Sequence, residues 1–280
     1  MLIYRLRKSK FIAIFKSSKV VCPTFYELKL SNSCPFSCSY CYLLSTFRFN
    51  RDVVLFNNDW SQIQAELEKS PPGVYNTGEL ADSLAIVPPL LDPFTLDYFA
   101  QQKDKFLLLV TKSTNIGILK DRHPSPQVIV SFSVNSVASA DVFESDAPLP
   151  TERLDCAREL KSLGWRVRIR LDPIILPFFD TSKSYADYYY ICHEIAVLKP
   201  ERITVGTLRP YSNTYQRMPD RLKKGLVFSD DHRWRYPLKD RVAVYQQVAD
   251  WLGEVPALCK ETKECYTQFD WSHTGCNCTP

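Results

Sequence analysis

The stretch Trp165-Arg166-Val167-Arg168-Ile169-Arg170-Leu171-Asp172 alternates apolar and charged side chains without a break. Successive side chains of a β-strand point to opposite faces. A strand here therefore carries Trp165, Val167, Ile169 and Leu171 on one side and Arg166, Arg168, Arg170 and Asp172 on the other. Residues 130–135 repeat the pattern, with Val130, Phe132 and Val134 set against Ser131, Ser133 and Asn135. A strand buried on both sides does not carry such a polar face. If helices cover the apolar side, the polar side lines a hydrated lumen, as in an open barrel that holds a polar ligand. On that reading Arg166, Arg168, Arg170 and Asp172 face the lumen on its substrate side. An antiparallel sheet with one wet face is the alternative.

Working outward, residues 24–30, 73–76, 105–110, 127–134, 165–171 and 202–207 read as six strands with helical patterns between them, which predicts parallel βα units. Asp59 is placed to cap a helix with Trp60, Ile63 and Leu67 on one face and Gln62 as the far member of a capping box; Pro71, Pro72 and Gly73 end it. Thr151 opens a second helix, with Leu154, Ala157, Leu160 and Leu163 inward and Gly164 at its end. The expected fold class is α/β, a partial open (β/α)6 barrel of the TIM type. It divides into a basic N-terminal extension (1–23), the barrel (24–210) and a basic, Cys-rich C-terminal extension (211–280).

A chain of 280 residues, 45% hydrophobic and 24% charged, buries a full core, and no apolar run approaches the roughly 20 residues that span a bilayer. No membrane partner and no targeting signal are expected, which places the protein in the cytoplasm. The net charge of +4 permits nucleic acid as a partner without requiring it. Ten cysteines in so long a chain point to reduced thiols that hold metal rather than to a disulfide scaffold.

The metal motif is Ser33-Cys34-Pro35-Phe36-Ser37-Cys38-Ser39-Tyr40-Cys41-Tyr42, directly after the first strand. Three thiolates hold three irons of a cubane and leave the fourth open to a non-protein ligand. A structural zinc site needs a fourth protein ligand, and none follows nearby in sequence. The spacing resembles the signature of the radical S-adenosylmethionine (SAM) superfamily. That resemblance implies a [4Fe–4S] cluster on Cys34, Cys38 and Cys41, SAM chelated to the open iron, Tyr40 against adenine, and reductive cleavage of SAM to a 5′-deoxyadenosyl radical. An electron donor such as flavodoxin or ferredoxin is then required. The segment Asn76-Thr77-Gly78-Glu79-Leu80-Ala81-Asp82-Ser83 is similar to the superfamily's element for the methionyl ammonium, which nominates Thr77, Gly78, Glu79 and Asp82. Lys112 is nominated for the SAM carboxylate, and Ser131 or Ser133 for ribose and carboxylate.

From residue 18 to about 247 the chain resembles the spore photoproduct lyase family, which reverses a thymine–thymine adduct in DNA. The resemblance rests on Cys38-Ser39-Tyr40-Cys41-Tyr42-Leu43, Leu109-Val110-Thr111-Lys112, Phe132-Ser133-Val134-Asn135-Ser136 and Ile203-Thr204-Val205-Gly206-Thr207-Leu208-Arg209. It implies lyase chemistry on DNA. Tyr40 and Tyr42 resemble the relay tyrosines, and Arg217, Arg221, Lys223, Lys224, Arg233 and Arg235 become phosphate contacts, with Trp234 as a wedge. The family returns a hydrogen atom from a cysteine where this chain has Glu79, and only 33 residues precede Cys34, fewer than its N-terminal domain. A radical SAM enzyme acting on RNA, a peptide or a small metabolite is one competing reading; a metal-stabilised nucleic-acid-binding protein without turnover is the other.

Cys259, Cys265, Cys276 and Cys278 end the chain as a possible second metal site, for zinc or an auxiliary iron–sulfur cluster, with His273 as a substitute ligand. Cys22, Cys156 and Cys192 are expected to be structural.

Overall fold

The computed structural model describes residues 1–17, 19–179, 182–269 and 275–280; His273 lies outside them. Six strands fall where the alternation places them: β2 (Phe25–Leu28), β3 (Gly73–Asn76), β4 (Lys105–Thr111), β5 (Val128–Val134), β6 (Arg166–Ile174) and β7 (Ile203–Thr207). Two more join them. The antiparallel edge strand β1 (Ile12–Phe15) comes from the N-terminal segment, and β8 (Ala257–Leu258), parallel to β7, comes from the C-terminal one. The sheet runs β8-β7-β6-β5-β4-β3-β2-β1, every neighbouring pair parallel except the last. Neighbours in space are thus neighbours in sequence. With helices as the crossovers the sheet curls into an open half-barrel.

Each strand divides its side chains between two interiors. Leu107, Leu109, Val130, Phe132, Val167, Ile169, Ile203 and Val205 belong to the large core under the helices. Phe25, Val74, Leu108 and Ile129, one residue out of phase, form a separate cluster on the concave side. Complete burial of one such Leu or Phe contributes about 1.5–3 kcal/mol, so the two-residue period is strongly enforced.

Helix α1 is Tyr42–Thr46, α2 Trp60–Lys69, α3 Pro150–Ser162, α4 Ser182–Leu198 and α5 Leu238–Leu252. Asp59 caps α2 by accepting from Ser61 N, and Ile63 and Leu67 are buried. The expected capping box is absent, because the Gln62 side chain accepts from Asn58 Nδ2. In α3, Leu154, Ala157 and Leu160 are buried, but Leu163 is 44% exposed: the helix ends at Ser162 and the chain turns at Gly164, φ +94°, which carries Leu163 off the packed stripe.

The lower lumen is occupied by the chain itself. Residues 275–280 fold back into it and satisfy the polar strand faces. Asn277 Nδ2 donates to Ser131 Oγ (3.0 Å) and Ile169 O (2.9 Å), and its Oδ1 accepts from Thr204 Oγ1 (2.8 Å). Arg168 donates to the carbonyl oxygens of Asn277 and Thr279, and Arg202 reaches Cys276 O and Thr279 O. Glu201 anchors this set by accepting from Arg166 and Arg168. Gly275 lies so close that a Cβ would meet the Arg202 guanidinium at 2.8 Å. Arg168 and Arg170 therefore hold the chain's own tail, Arg166 pairs with Glu201 and Pro126 O, and of the four residues only Asp172 reaches the upper cavity. Among the described residues no helix is long and apolar enough to cross a membrane.

Asn277→Ala leaves several buried partners unmatched and should cost at least about 2 kcal/mol in guanidinium unfolding. Burial alone would raise the Glu201 carboxyl, but hydrogen bonds from Arg166 and Arg168 outweigh it and hold it at about 2, below its ordinary 4.5. A depressed carboxylate stabilises the fold above its unfolded pKa and loses that effect as pH falls through the folded one. The stability gap between the wild-type chain and Glu201→Gln should therefore be widest near neutrality and close between about pH 4.5 and 2.

Candidate active site

The cysteine loop is clamped from two sides. Ser33 takes a left-handed φ of 67° and its N–H donates to Leu80 O at 2.8 Å, tying the loop to the turn after β3. Ser37 and Cys38 pair antiparallel with Ser145 and Glu144, and Ser39 N donates to Phe143 O at 2.8 Å. Cys41 is the N-cap residue of α1. Cys34, Cys38 and Cys41 thereby line one cavity of about 460 Å³ at the C-terminal ends of the strands, together with Tyr40, Tyr42, Gly78, Glu79, Asp82, Lys112 and Ser133.

All ten cysteines are free. Burial pushes the Cys34 thiol up to about 12 and raises Cys38 and Cys41 as well, so iron would enter by replacing protons. Among the described residues no three His, Cys, Asp or Glu side chains close around a single metal ion. Three thiols spread around one cavity fit a cage of several irons, which takes one thiolate at each of three corners.

Glu144 organises the wall beside them. It is 3% exposed and receives the Tyr40 hydroxyl, Arg153 Nη2 (2.6 Å), Lys112 Nζ (3.5 Å) and Asn135 Nδ2 (3.3 Å). Burial by itself would raise this carboxyl, but the charges of Lys112 and Arg153 and the Tyr40 hydroxyl outweigh it and hold it at about 2. Burial and the Glu144 charge in turn push Tyr40 well above a phenol's ordinary range, so Tyr40 stays protonated. The Lys112 ammonium also donates to Ser133 Oγ at 2.7 Å. An ammonium has three donors, so one remains for a ligand in the cavity.

Other sequence-nominated residues take different places. Ser131 is fully buried between Arg170 Nε and Asn277 Nδ2, below the cavity. Thr77 is buried with its hydroxyl paired to Ser83 Oγ at 2.7 Å and does not line the cavity. Asp82 lines it, but its oxygens already accept from Thr111 Oγ1 and from the N–H groups of Lys112, Leu84 and Ala85. It shapes the turn rather than offering a free carboxylate. Glu79 keeps the cavity carboxylate, shared with Asn76 Nδ2 (3.0 Å) and Lys260 Nζ (3.3 Å), while its carbonyl oxygen accepts the Tyr42 hydroxyl. A Cβ on Gly78 would stand 2.6 Å from Val110 Cβ, so only glycine lets this turn lie against β4.

Several cavity residues escaped sequence reasoning. Glu27 is readable, as a charge two residues from Phe25 and so on the same concave face of β2. Arg209 forms a bidentate pair with Asp172 (2.8 and 2.7 Å), and Gly206 makes room for it, since a Cβ there would meet Arg209 Nη1 at 2.7 Å. Lys260 and Tyr211 arrive from the C-terminal segment, and Glu144, behind the cavity wall, from a short bridge; nothing local marks them.

The basic C-terminal group is also redistributed. Arg235 is 1% exposed and bound by Asp231 and Glu261, a structural role rather than a phosphate contact. Trp234 is stacked on Tyr215 at 3.7 Å between centroids, so it is not a free wedge. Arg233 reaches the cavity rim and donates to Tyr211 Oη at 2.7 Å, and Val227 and Phe228 of the small hairpin are exposed.

Against known proteins, neither a family scan nor a search of curated sequences finds a match. Solved structures do match. Spore photoproduct lyase complexed with dinucleoside spore photoproduct superposes with a TM-score of 0.72 at 16% identity, over 92% of this chain and 81% of that one. A variant of that lyase with bound AdoMet and the same dinucleoside gives 0.73 at 16%, over 94% and 82%. Streptococcus suis SuiB bound to S-adenosylmethionine gives 0.52 at 13%, over 87% and 52%.

Gly78→Ala should cost about 1–3 kcal/mol in urea unfolding, because the turn is forced off β4. The chain has the open half-barrel fold of spore photoproduct lyase, and at these identities the likeness is one of fold.

Proposed function

We propose that this chain is a radical SAM enzyme that carries a [4Fe–4S] cluster on Cys34, Cys38 and Cys41 and acts on a thymine lesion of the spore-photoproduct type in DNA. The observation that carries the reading is the convergence of those three thiols on one cavity with Tyr40, Lys112 and Glu79, on a fold shared with proteins solved with SAM bound. When bound, cluster and SAM together supply the electron and the carbon radical that begins the chemistry.

The chain's own residues bind and orient. Lys112, fixed by Ser133 and Glu144, offers its remaining donor to the methionine carboxylate, and Glu79 faces the ammonium. Tyr40, held by Glu144, presents its ring to the adenine. Tyr42, anchored on the Glu79 carbonyl, stands at the mouth, 36% exposed, where a relay tyrosine can meet substrate. Arg233 at the rim suits a phosphate, and exposed Phe228 suits a base face. Flavodoxin or ferredoxin is the electron donor this reading calls for.

One observation favours a second substrate class. Glu79, ion-paired to Lys260, stands where the lyase family has its hydrogen-returning thiol. A carboxylate is a poor hydrogen-atom donor, so RNA, a peptide or a small metabolite is the competing substrate.

The test is anaerobic reconstitution, reduction with dithionite, and measurement of 5′-deoxyadenosine with and without lesion-bearing DNA. Cys41→Ala should bring SAM cleavage to the protein-free blank. Lesion DNA should raise turnover and yield thymines, and Glu79→Cys should raise the yield further. SAM cleavage without thymine recovery in either protein would sink the DNA reading and leave the SAM reading standing.

A further inference from the structure

Four thiols outside the proposed active site meet in the lower lumen. Cys22 precedes β2, Cys259 follows β8, and Cys276 and Cys278 ride on the tail. Cys22, Cys276 and Cys278 share the apolar floor of Phe25, Val74, Leu108 and Ile129. Cys276 and Cys278 are hydrogen-bonded to each other. Cys265, the expected fourth member, lies elsewhere: it is fully buried and hydrogen-bonded to Glu261.

Arg170 stands among these sulfurs. It is 8% exposed, donates to Cys278 Sγ at 3.0 Å and Ser131 Oγ at 3.2 Å, and reaches Cys259 Sγ at 3.9 Å. No carboxylate pairs with it among the described residues: nearby Asp172 is taken in both oxygens by Arg209. A buried cation needs a buried counter-charge. Among the described residues, the groups nearest Arg170 that can become anionic and that no other cation holds in a bidentate pair are the thiols of Cys278, Cys259 and Cys276.

We propose that Cys22, Cys259, Cys276 and Cys278 bind a second [4Fe–4S] cluster, with Arg170 balancing its negative charge. Ligation replaces each thiol proton by a sulfur–iron bond, and the protons pass to solvent. A single zinc would draw its four sulfurs to about 2.3 Å from one point. A cubane instead takes one thiolate at each corner of a cage, so the iron and sulfide count separates it from zinc. The docking of the tail through Asn277, Gly275 and Arg168 is what brings two of the four ligands to the other two.

The experiment uses the full chain with Cys34→Ala, Cys38→Ala and Cys41→Ala combined, reconstituted anaerobically with ferric iron, sulfide and a thiol reductant. The expected result is about four irons and four sulfides per chain and, after reduction, the paramagnetic signal of a [4Fe–4S] cluster. Adding Cys22→Ser or Cys278→Ser should bring iron to background, and adding Cys265→Ser should leave it unchanged. Circular dichroism before reconstitution checks that each variant is folded. If the triple variant does not fold, the wild-type chain decides: about eight irons and two distinct signals support the site, about four and one signal overturn it. Zinc alone at one per chain, or no metal in the folded triple variant, also overturns it. SAM cleavage is not a readout here, so the failure of either proposal leaves the other intact.

Discussion

The structure depends on one constraint: a curled parallel sheet has a concave face, and every polar group on that face must find a partner. Helices cover the convex side of this sheet with largely apolar contacts. The concave side carries Ser131, Ser133, Arg166, Arg168, Arg170 and Thr204, and stranding any of these out of water would cost more than a strand pair returns. The molecule meets the requirement in two ways at two depths. The tail is threaded into the lower half, where Asn277 alone joins β5, β6 and β7. The upper half stays open and its polar groups line a cavity.

That division explains how neighbouring residues of one strand come to do different work. Ser131 and Ser133 share a face of β5, yet the first is sealed under Arg170 and Asn277 while the second meets Lys112 at the cavity wall. Arg170 and Asp172 are likewise two residues apart on β6, one among the tail thiols and the other held by Arg209 beneath the ligand space. Glu144 ties the levels together from the side, with Arg153 reaching both it and Ser133 O (3.0 Å). A fully compensated buried carboxylate is rigid, because withdrawing any one partner leaves an unpaired charge. It therefore fixes the Tyr40 hydroxyl and the Lys112 ammonium in place before any ligand arrives.

The C-terminal segment contributes more than a flank. Cys259, Lys260 and Glu261 are consecutive and serve three environments: the lumen sulfurs, the Glu79 carboxylate across the cavity, and a buried set with Arg235, Arg241 and Tyr245. Cys259 and Lys260 form the turn directly after β8, where Lys260 takes a left-handed φ of 50°, so successive side chains leave in different directions.

Six strands, their order of appearance and the side of the sheet that each residue faces were written in the amino-acid sequence, because a period of two is a local property of the chain. The cysteine triad was legible for the same reason: its three thiols lie within eight residues, Cys34 to Cys41. What fills the lumen was not. Whether Arg168 and Arg170 meet water, a substrate or the chain itself depends on residues more than 80 positions away, and no local pattern marks Asn277 or Cys278 as their neighbours. The sequence determined which groups needed partners; only the closure of the barrel on its own tail decided which partners they received, because that choice is made by the contacts of the folded chain and not by any of its segments alone.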